Sequence, residues 1–244
     1  MRHFLKKYLK PILIRAGIPL TKNMRYDQQA RRIMKRILNE DSNCIDVGCH
    51  VGEFMDWMLE MAPKGRHSGF EPIPWLFEGL KHKYGNRVRL YDAALSSAPG
   101  QAHFQVVKNA PAYSGLRRRK YAVEKPDIEE VQVRVETLDR LFEASDPIRL
   151  LKVDVEGAEF DVLRGAENLL RRDRPYVLFE YGLGSAEFYD SGPDDMYQYL
   201  QSVGLSLHCL GGFLKGAAPL TASEFMQHFQ SGSEYYFLAV PQQN

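Results

Sequence analysis

Two runs of residues hold most of the groups that could do chemistry. The first is Asp46-Val47-Gly48-Cys49-His50-Val51-Gly52, followed by Glu71. Gly48 permits a tight turn and Gly52 lets a following helix approach the strand. An acid about 20 residues beyond such a loop can accept both hydroxyls of a ribose. The second run is Lys152-Val153-Asp154-Val155-Glu156-Gly157-Ala158-Glu159. Strand alternation puts Lys152, Asp154 and Glu156 on one side. Three ionisable groups there are costly unless paired or used. They could orient a substrate hydroxyl, accept its proton or hold a divalent cation. Glu159 reads as a capping and helix-dipole acid for the helix that follows. Glu180 ends the next apolar run and is expected to face the same crevice.

The loop and Glu71 indicate a nucleoside cofactor, and NAD and S-adenosylmethionine both qualify. A dinucleotide fingerprint needs glycine where His50 and Glu53 stand, because pyrophosphate must approach bare backbone. Asp46 would also place negative charge near those phosphates. S-adenosylmethionine carries an ammonium and a sulfonium instead, so an acid-bearing loop suits it better. A strand-to-helix turn without any ligand is the plainer alternative for the loop taken alone. The run Tyr91-Asp92-Ala93-Ala94-Leu95 offers small residues beside a flat purine and Asp92 as acceptor for its exocyclic amine. A solvated acid at a strand end is an equal reading of Asp92.

These residues need a frame to hold them. Cys44 to Val47, Ser68 to Phe70, Val88 to Tyr91, Ile148 to Val153 and Tyr176 to Phe179 read as buried strands. Helices are expected over Glu53 to Met61, Pro74 to Tyr84, Phe160 to Leu170 and Asp194 to Ser202. Ala102 to Val107 and Val131 to Val135 alternate in period two and suggest a hairpin. Leu205 to Leu210 and Tyr235 to Val240 read as late strands. Strands alternating with helices imply an α/β domain with a parallel sheet covered on both faces. Ligands of such sheets bind beyond the carboxyl ends of the strands.

The chain has 244 residues, 44% hydrophobic and 26% charged, which is ordinary globular composition. No run approaches the roughly 20 apolar residues of a membrane span, and no signal peptide is read. Three cysteines without metal or disulfide spacing fit a reducing cytoplasm. No His-x-x-x-His or Cys-x-x-Cys pair marks a transition metal, so no metal site is assigned. Outside His50, the histidines are scattered and read as ordinary residues. The net charge of +1 conceals an asymmetry. Met1 to Arg36 carries 11 Lys or Arg and one acid, Asp27, while the remainder holds 21 basic and 30 acidic residues. Phe4, Leu5, Tyr8 and Leu9 share one helical face in this head, and Ala30, Ile33, Met34, Ile37 and Leu38 share another. The head could cover the cofactor cleft, bind an anionic membrane surface or form a dimer contact. Residues 1–40 are expected to be a basic helical extension and 41–244 one catalytic domain. The segment around Tyr113 and Ser114, followed by Arg117-Arg118-Arg119-Lys120, could be a basic flap over the site that selects an anionic acceptor. No nucleic-acid partner is expected.

The motifs together resemble the FkbM-type S-adenosylmethionine-dependent methyltransferases. Ile45-Asp46-Val47-Gly48-Cys49-His50-Val51-Gly52 is similar to that family's first loop, and Phe70-Glu71-Pro72-Ile73-Pro74 to its Phe-Glu-Pro signature. Ala93-Ala94-Leu95-Ser96, Thr137-Leu138-Asp139, Leu151 to Glu159 and Val177-Leu178-Phe179-Glu180 follow in the family's order. One departure is His50, where the family usually has Asn. The resemblance implies a class I methyltransferase (Rossmann-like) seven-stranded sheet, six strands parallel and one late strand antiparallel. It implies cofactor contacts at Asp46, Gly48, His50, Gly52, Glu71, Pro72, Asp92 and Ala93. It also implies methyl transfer to a hydroxyl of a sugar, glycan or secondary metabolite, leaving S-adenosylhomocysteine. Asp154 and Glu156 are the expected catalytic acids, with Lys152, Glu180, Tyr113 and Ser114 toward the acceptor. An NAD-linked oxidoreductase and a non-catalytic nucleoside-binding protein of the same fold are the alternatives.

Overall fold

The computed structural model describes residues 19–119, 121, 123–143, 146–189 and 191–242. The apolar face of Phe4, Leu5, Tyr8 and Leu9 lies outside them. The first described helix, α1 (Lys22–Ile37), begins five residues before the periodic run from Asp27, because Thr21 caps it. Thr21 Oγ1 accepts from the Met24 N–H at 3.2 Å, satisfying one of the first turn's free donors. Lys35 and Arg36 close the last turn, where cations suit the helix dipole. Tyr26, Ala30, Ile33, Met34 and Ile37 form one stripe buried with Leu150, Leu178 and Leu238 of the sheet. The expected division at residue 40 is therefore corrected for this helix, which is a layer of the domain and not an appendage.

Strand β1 (Asn43–Val47) leads through α2 (Glu53–Met61) to β2 (His67–Phe70), then through α3 (Pro74–Tyr84) to β3 (Val88–Tyr91). The short strand β4 (Ala93–Leu95), β5 (Gly100–Val107) and β6 (Ile128–Glu136) follow, then the one-turn helix α4 (Leu138–Leu141). The chain re-enters the main sheet at β7 (Ile148–Val153) and continues through α5 (Glu159–Arg164) and α6 (Glu167–Asp173) to β8 (Tyr176–Glu180). The last elements are α7 (Pro193–Ser202), β9 (Leu205–Cys209), α8 (Leu210–Leu214), α9 (Ala222–Ser231) and β10 (Tyr236–Pro241).

Seven strands form the main sheet in the order β3-β2-β1-β7-β8-β10-β9. Strand β10 runs antiparallel to both neighbours, and the other described pairings in this sheet are parallel. The late strands thus end the sheet as expected. Each central strand feeds two cores. Ile45, Val47, Leu151 and Val153 point into one, and Cys44 and Leu150 into the other. This explains why these runs are apolar throughout instead of alternating. The sheet order reverses between β1 and β7, which opens a crevice at their carboxyl ends.

The hairpin forms, but apart from the main sheet. β5 pairs antiparallel with β6 from Gly100↔Val135 to Val107↔Ile128, and β6 pairs parallel with β4. The single helix expected over Phe160 to Leu170 is two. At the break, a Cβ on Gly165 would lie 2.2 Å from the Ser96 carbonyl oxygen, so the chain there lies against the β4–β5 turn. The Asp139 carboxylate then caps α6, accepting from Asn168 N–H at 3.0 Å and Leu169 N–H at 2.9 Å. Helix α9 was not foreseen; its start is a capping box between Thr221 and Glu224.

Candidate active site

A cavity of about 340 Å³ opens at the carboxyl ends of β1, β2, β7 and β8. Its floor is the turn after β1. Gly48 has φ +77°, and a Cβ there would sit 2.0 Å from the Asp154 carbonyl oxygen. The Asp154 N–H donates to Val47 O at 3.1 Å. The two loops are thus locked backbone to backbone, and the glycine is what permits it. Gly52 (φ +83°) is not in the cavity wall. A Cβ on it would meet the Tyr84 hydroxyl at 2.2 Å, so its role is the packing of α2 against α3.

Glu71 faces the floor from the end of β2. It is 4% exposed, and each oxygen accepts one backbone N–H, from His50 at 2.8 Å and from Ile73 at 2.9 Å. Burial pushes its pKa up to about 7, against the pull of those two N–H groups and of Lys152. The second lone pair on each oxygen remains for two hydroxyls. His50 has φ +49°, a region where Asn, Asp and His are enriched, so histidine is accommodated in the turn. Burial, then Lys152, lowers its pKa. Pro72, Ile73, Ala93, Ala94 and Phe104 add an apolar wall. Asp92 is corrected: it is exposed, outside the cavity wall, and paired with Arg134 of β6 at 2.7 Å.

Asp46 is corrected as well. It is fully buried beneath the floor and absent from the cavity wall. Lys152 Nζ lies 3.1 Å from its Oδ1, while the ammonium donates to Gly48 O at 2.7 Å and Val47 O at 3.3 Å. Burial disfavours the lysine charge, but Asp46 and Asp154 outweigh it and raise the pKa. Asp46 therefore holds the lysine, and the lysine holds the loop.

The far end of the cavity is acidic. Asp154, Glu156 and Glu180 line it as expected, joined by Glu53 and by Asn23 and Asp27 of α1. Lys152 Nζ is 4.0 Å from Asp154 Oδ2. Glu156, at φ +62°, is ion-paired with Arg119. Burial raises the pKa of Glu156, Asp154 adds to the rise, and Arg119 opposes it. Burial raises Glu180 too, reinforced by Asp154 and Glu156. Glu159 accepts from Val155 N–H at 3.0 Å and Gly157 N–H at 3.1 Å, which shapes the loop carrying Asp154 and Glu156.

The segment after β5 covers one side. Pro111, Ala112, Ser114 and Leu116 line the cavity; Tyr113 does not. Ser114 Oγ accepts from Val107 N–H at 2.9 Å, and its side chain holds the turn. Two residues of the basic run, Arg117 and Arg119, are not free to select an anion. Arg119 stacks 5.0 Å over Tyr113 while paired with Glu156, and Arg117 donates to Phe188 O at 2.8 Å over the Tyr189 ring. The head does reach the cleft, as one of its expected roles had it, but the sequence does not single out Asn23 and Asp27 as the residues that do so, nor the inward turn of Arg119. One signal was available: Asp27 is the single acid of the basic head.

The donor set fits S-adenosylmethionine: two lone pairs of a buried carboxylate, an apolar wall, and carboxylates where a cationic sulfur and ammonium would lie. The family model of the methyltransferase FkbM domain matches residues 46–207. The 2-O-methyltransferase NoeI of Sinorhizobium fredii is 27% identical over 165 residues, covering 62% of this chain and 68% of that protein. Methyltransferase 1 of Beauveria bassiana is 29% identical over 153 residues, covering 53% and 60%. The crystal structure of methyltransferase FkbM from Methylobacillus flagellatus superposes with a TM-score of 0.51 at 13% identity, covering 83% of this chain and 44% of that one. That likeness shows the fold, and the chain spans less than half of that protein's length. The matched residues take in both loops that build the cavity and run through Glu180: the chain belongs to the methyltransferase FkbM domain family.

Proposed function

We propose that the protein is an S-adenosylmethionine-dependent methyltransferase that methylates a hydroxyl of a sugar, glycan or secondary metabolite. The observation that carries this is the placement of Glu71 and Asp154 in one cavity, a ribose acceptor and a proton acceptor. Glu71 would hold the ribose hydroxyls, and Pro72, Ile73 and Ala93 the adenine. The cofactor supplies a methyl on a cationic sulfur. In-line placement accounts for most of the acceleration, since that leaving group needs little activation. Asp154 takes the hydroxyl proton, with Lys152 Nζ 4.0 Å from its Oδ2. Glu156, held by Arg119, and Glu180 border the acceptor. Walls of Asp27, Glu53, Asp154 and Glu180 favour an uncharged or cationic acceptor over an acid. A relative named as a 2-O-methyltransferase supports oxygen as the methylated atom.

The test is transfer of labelled methyl from S-adenosylmethionine to a panel of sugars, oligosaccharides and polyketide alcohols. Label in an acceptor, with release of S-adenosylhomocysteine, is the expected result. Calorimetry showing NAD binding in its place would favour the oxidoreductase; cofactor binding without transfer to any acceptor would favour the binding protein. No described helix is long and apolar enough to cross a membrane. The basic head as a peripheral membrane or dimer contact, and a cytoplasmic location, remain part of the proposal.

A further inference from the structure

The described residues expose five large apolar side chains, 38% to 56% accessible: Leu20, Val51, Trp75, Leu183 and Phe188. All five lie at the end of the sheet where the methyl-transfer cavity opens. Val51 stands in the turn after β1 and lines the cavity. Trp75 is in the first turn of α3, two residues beyond Ile73 of the cavity wall. Leu183 and Phe188 follow β8. A Cβ on Gly157 would lie 2.7 Å from the Ser185 carbonyl oxygen, so their segment packs on the loop after β7. Leu20 immediately precedes the cap of α1, whose Asn23 lines the cavity. Exposed apolar residues scattered over a surface are ordinary; five confined to one end are not. The end where the parallel strands begin has none among the described residues.

Positive charge accompanies these side chains. Lys22, two residues after Leu20, donates through Nζ to Gly232 O at 2.7 Å. Arg117 donates to Phe188 O at 2.8 Å, and Arg118 beside it is exposed. Glu187, the exposed acid next to Phe188, is turned back to accept from the Gly184 N–H at 2.8 Å. Residues 1–18, which lead into Pro19 and Leu20 at this end, carry five Lys or Arg and no acid. Separate apolar tips beside cations suit the headgroup layer of an anionic bilayer. The tips enter the acyl boundary, and the positive charge is drawn to the lipid phosphates. A protein partner would instead call for one contiguous apolar core.

We propose that this end of the folded domain docks on an anionic lipid bilayer, with Trp75, Leu183 and Phe188 inserted at the interface and the cavity mouth facing the membrane. The proposal rests on the membrane contact assigned above to the basic head and extends it to the domain itself. It does not depend on the reaction assigned to the cavity, since docking needs no methyl transfer.

The experiment uses the full chain with vesicles of phosphatidylcholine alone or of equal parts phosphatidylcholine and phosphatidylglycerol. The chain has two tryptophans, so Trp57→Phe leaves Trp75 as the single reporter. Co-sedimentation should show binding to the anionic vesicles, with the neutral ones weaker by about tenfold or more. Trp75 emission should shift to the blue on binding and be quenched by bromine-labelled lipid. An L183S/F188S variant changes only exposed side chains outside the cavity wall. It should weaken vesicle binding by about tenfold or more while S-adenosylhomocysteine binds as before. Binding with Trp75 unshifted and unquenched would overturn the docking and leave the basic head as a tether alone. Absence of vesicle binding would overturn both. Unchanged vesicle affinity in L183S/F188S, or a dimer that buries Trp75 without vesicles, would overturn the docking as well. Vesicle binding without methyl transfer to any acceptor would refute the reaction and leave the docking standing.

Discussion

The backbone N–H of His50 donates to Oε2 of Glu71 at 2.8 Å, tying the turn after β1 to the end of β2. A carboxylate at that place orders the loop and keeps a face for the ligand. Its pKa of about 7 sets the sign of a pH effect. Ribose hydroxyls donate only to the ionised form's free lone pairs without competition, so binding follows ionisation. Cofactor affinity should rise as pH increases through 7 and level off above it. Below 7 the dissociation constant should grow by up to about tenfold per pH unit. Calorimetry with S-adenosylhomocysteine from pH 6 to 8 reads this directly. Glu71→Gln should weaken binding throughout and flatten the profile; an unchanged slope in the variant places the titration elsewhere.

Asp154→Asn removes the proton acceptor while keeping its size. Turnover should fall by about 10²-fold or more, the range for a lost general base. Cofactor affinity should change little, because the ribose and adenine contacts lie on Glu71 and the apolar wall. Single-turnover methyl transfer measured beside cofactor titration separates the two. Full turnover in this variant rules Asp154 out as the base.

Arg119 and Glu156 form an ion pair with side chains only 7% and 18% exposed. Replacing Arg119 by Met removes the cation paired with Glu156 and leaves it facing Asp154 with only the weaker pull of Lys152, so its proton should be held to higher pH. The acidic limb of the pH–rate profile should move upward and KM for the acceptor should increase. Arg119→Lys should restore part of both. A profile that does not move would make the pair purely structural.

Lys152 and Asp46 are a buried pair, 5% and 1% exposed at their side chains. Lys152→Met leaves Asp46 as an uncompensated charge and should destabilise the fold by about 3–5 kcal/mol. Adding Asp46→Asn should recover part of that loss, since both charges are then gone. Urea unfolding midpoints of the two variants make the comparison. Equal midpoints would show that Asp46 takes up a proton once the lysine is gone.

Asp139 caps α6 from a different part of the chain, through the N–H groups of Asn168 and Leu169. Asp139→Ala should lower stability by about 0.5–2 kcal/mol, the range for a lost helix cap. Thermal unfolding at fixed pH reads the shift. Methyl transfer should be retained where the protein is folded, because the cap lies outside the cavity wall.

Much of the fold was legible in one dimension because its signals are local. Continuous apolar runs such as Ile148 to Val153 mark strands covered on both faces, and the turn at Gly48 follows such a run directly. Glu71, His50, Asp154, Glu156 and Glu180 were readable for the same reason: a residue's place at a strand end is set by its neighbours in sequence, and parallel strands gather their carboxyl ends at one edge. What each charge faces was not local. Asp46 and Asp154 both follow alternation in a strand, yet one is buried on Lys152 and the other opens into the cavity. Asp92 is drawn to Arg134, 42 residues away, and Arg119 turns from a basic run onto Glu156. Helix α1 brings Asp27 to the cavity from before the first strand. Ion pairing and burial depend on distances across the folded chain, and the register and packing that set those distances involve residues far apart in sequence.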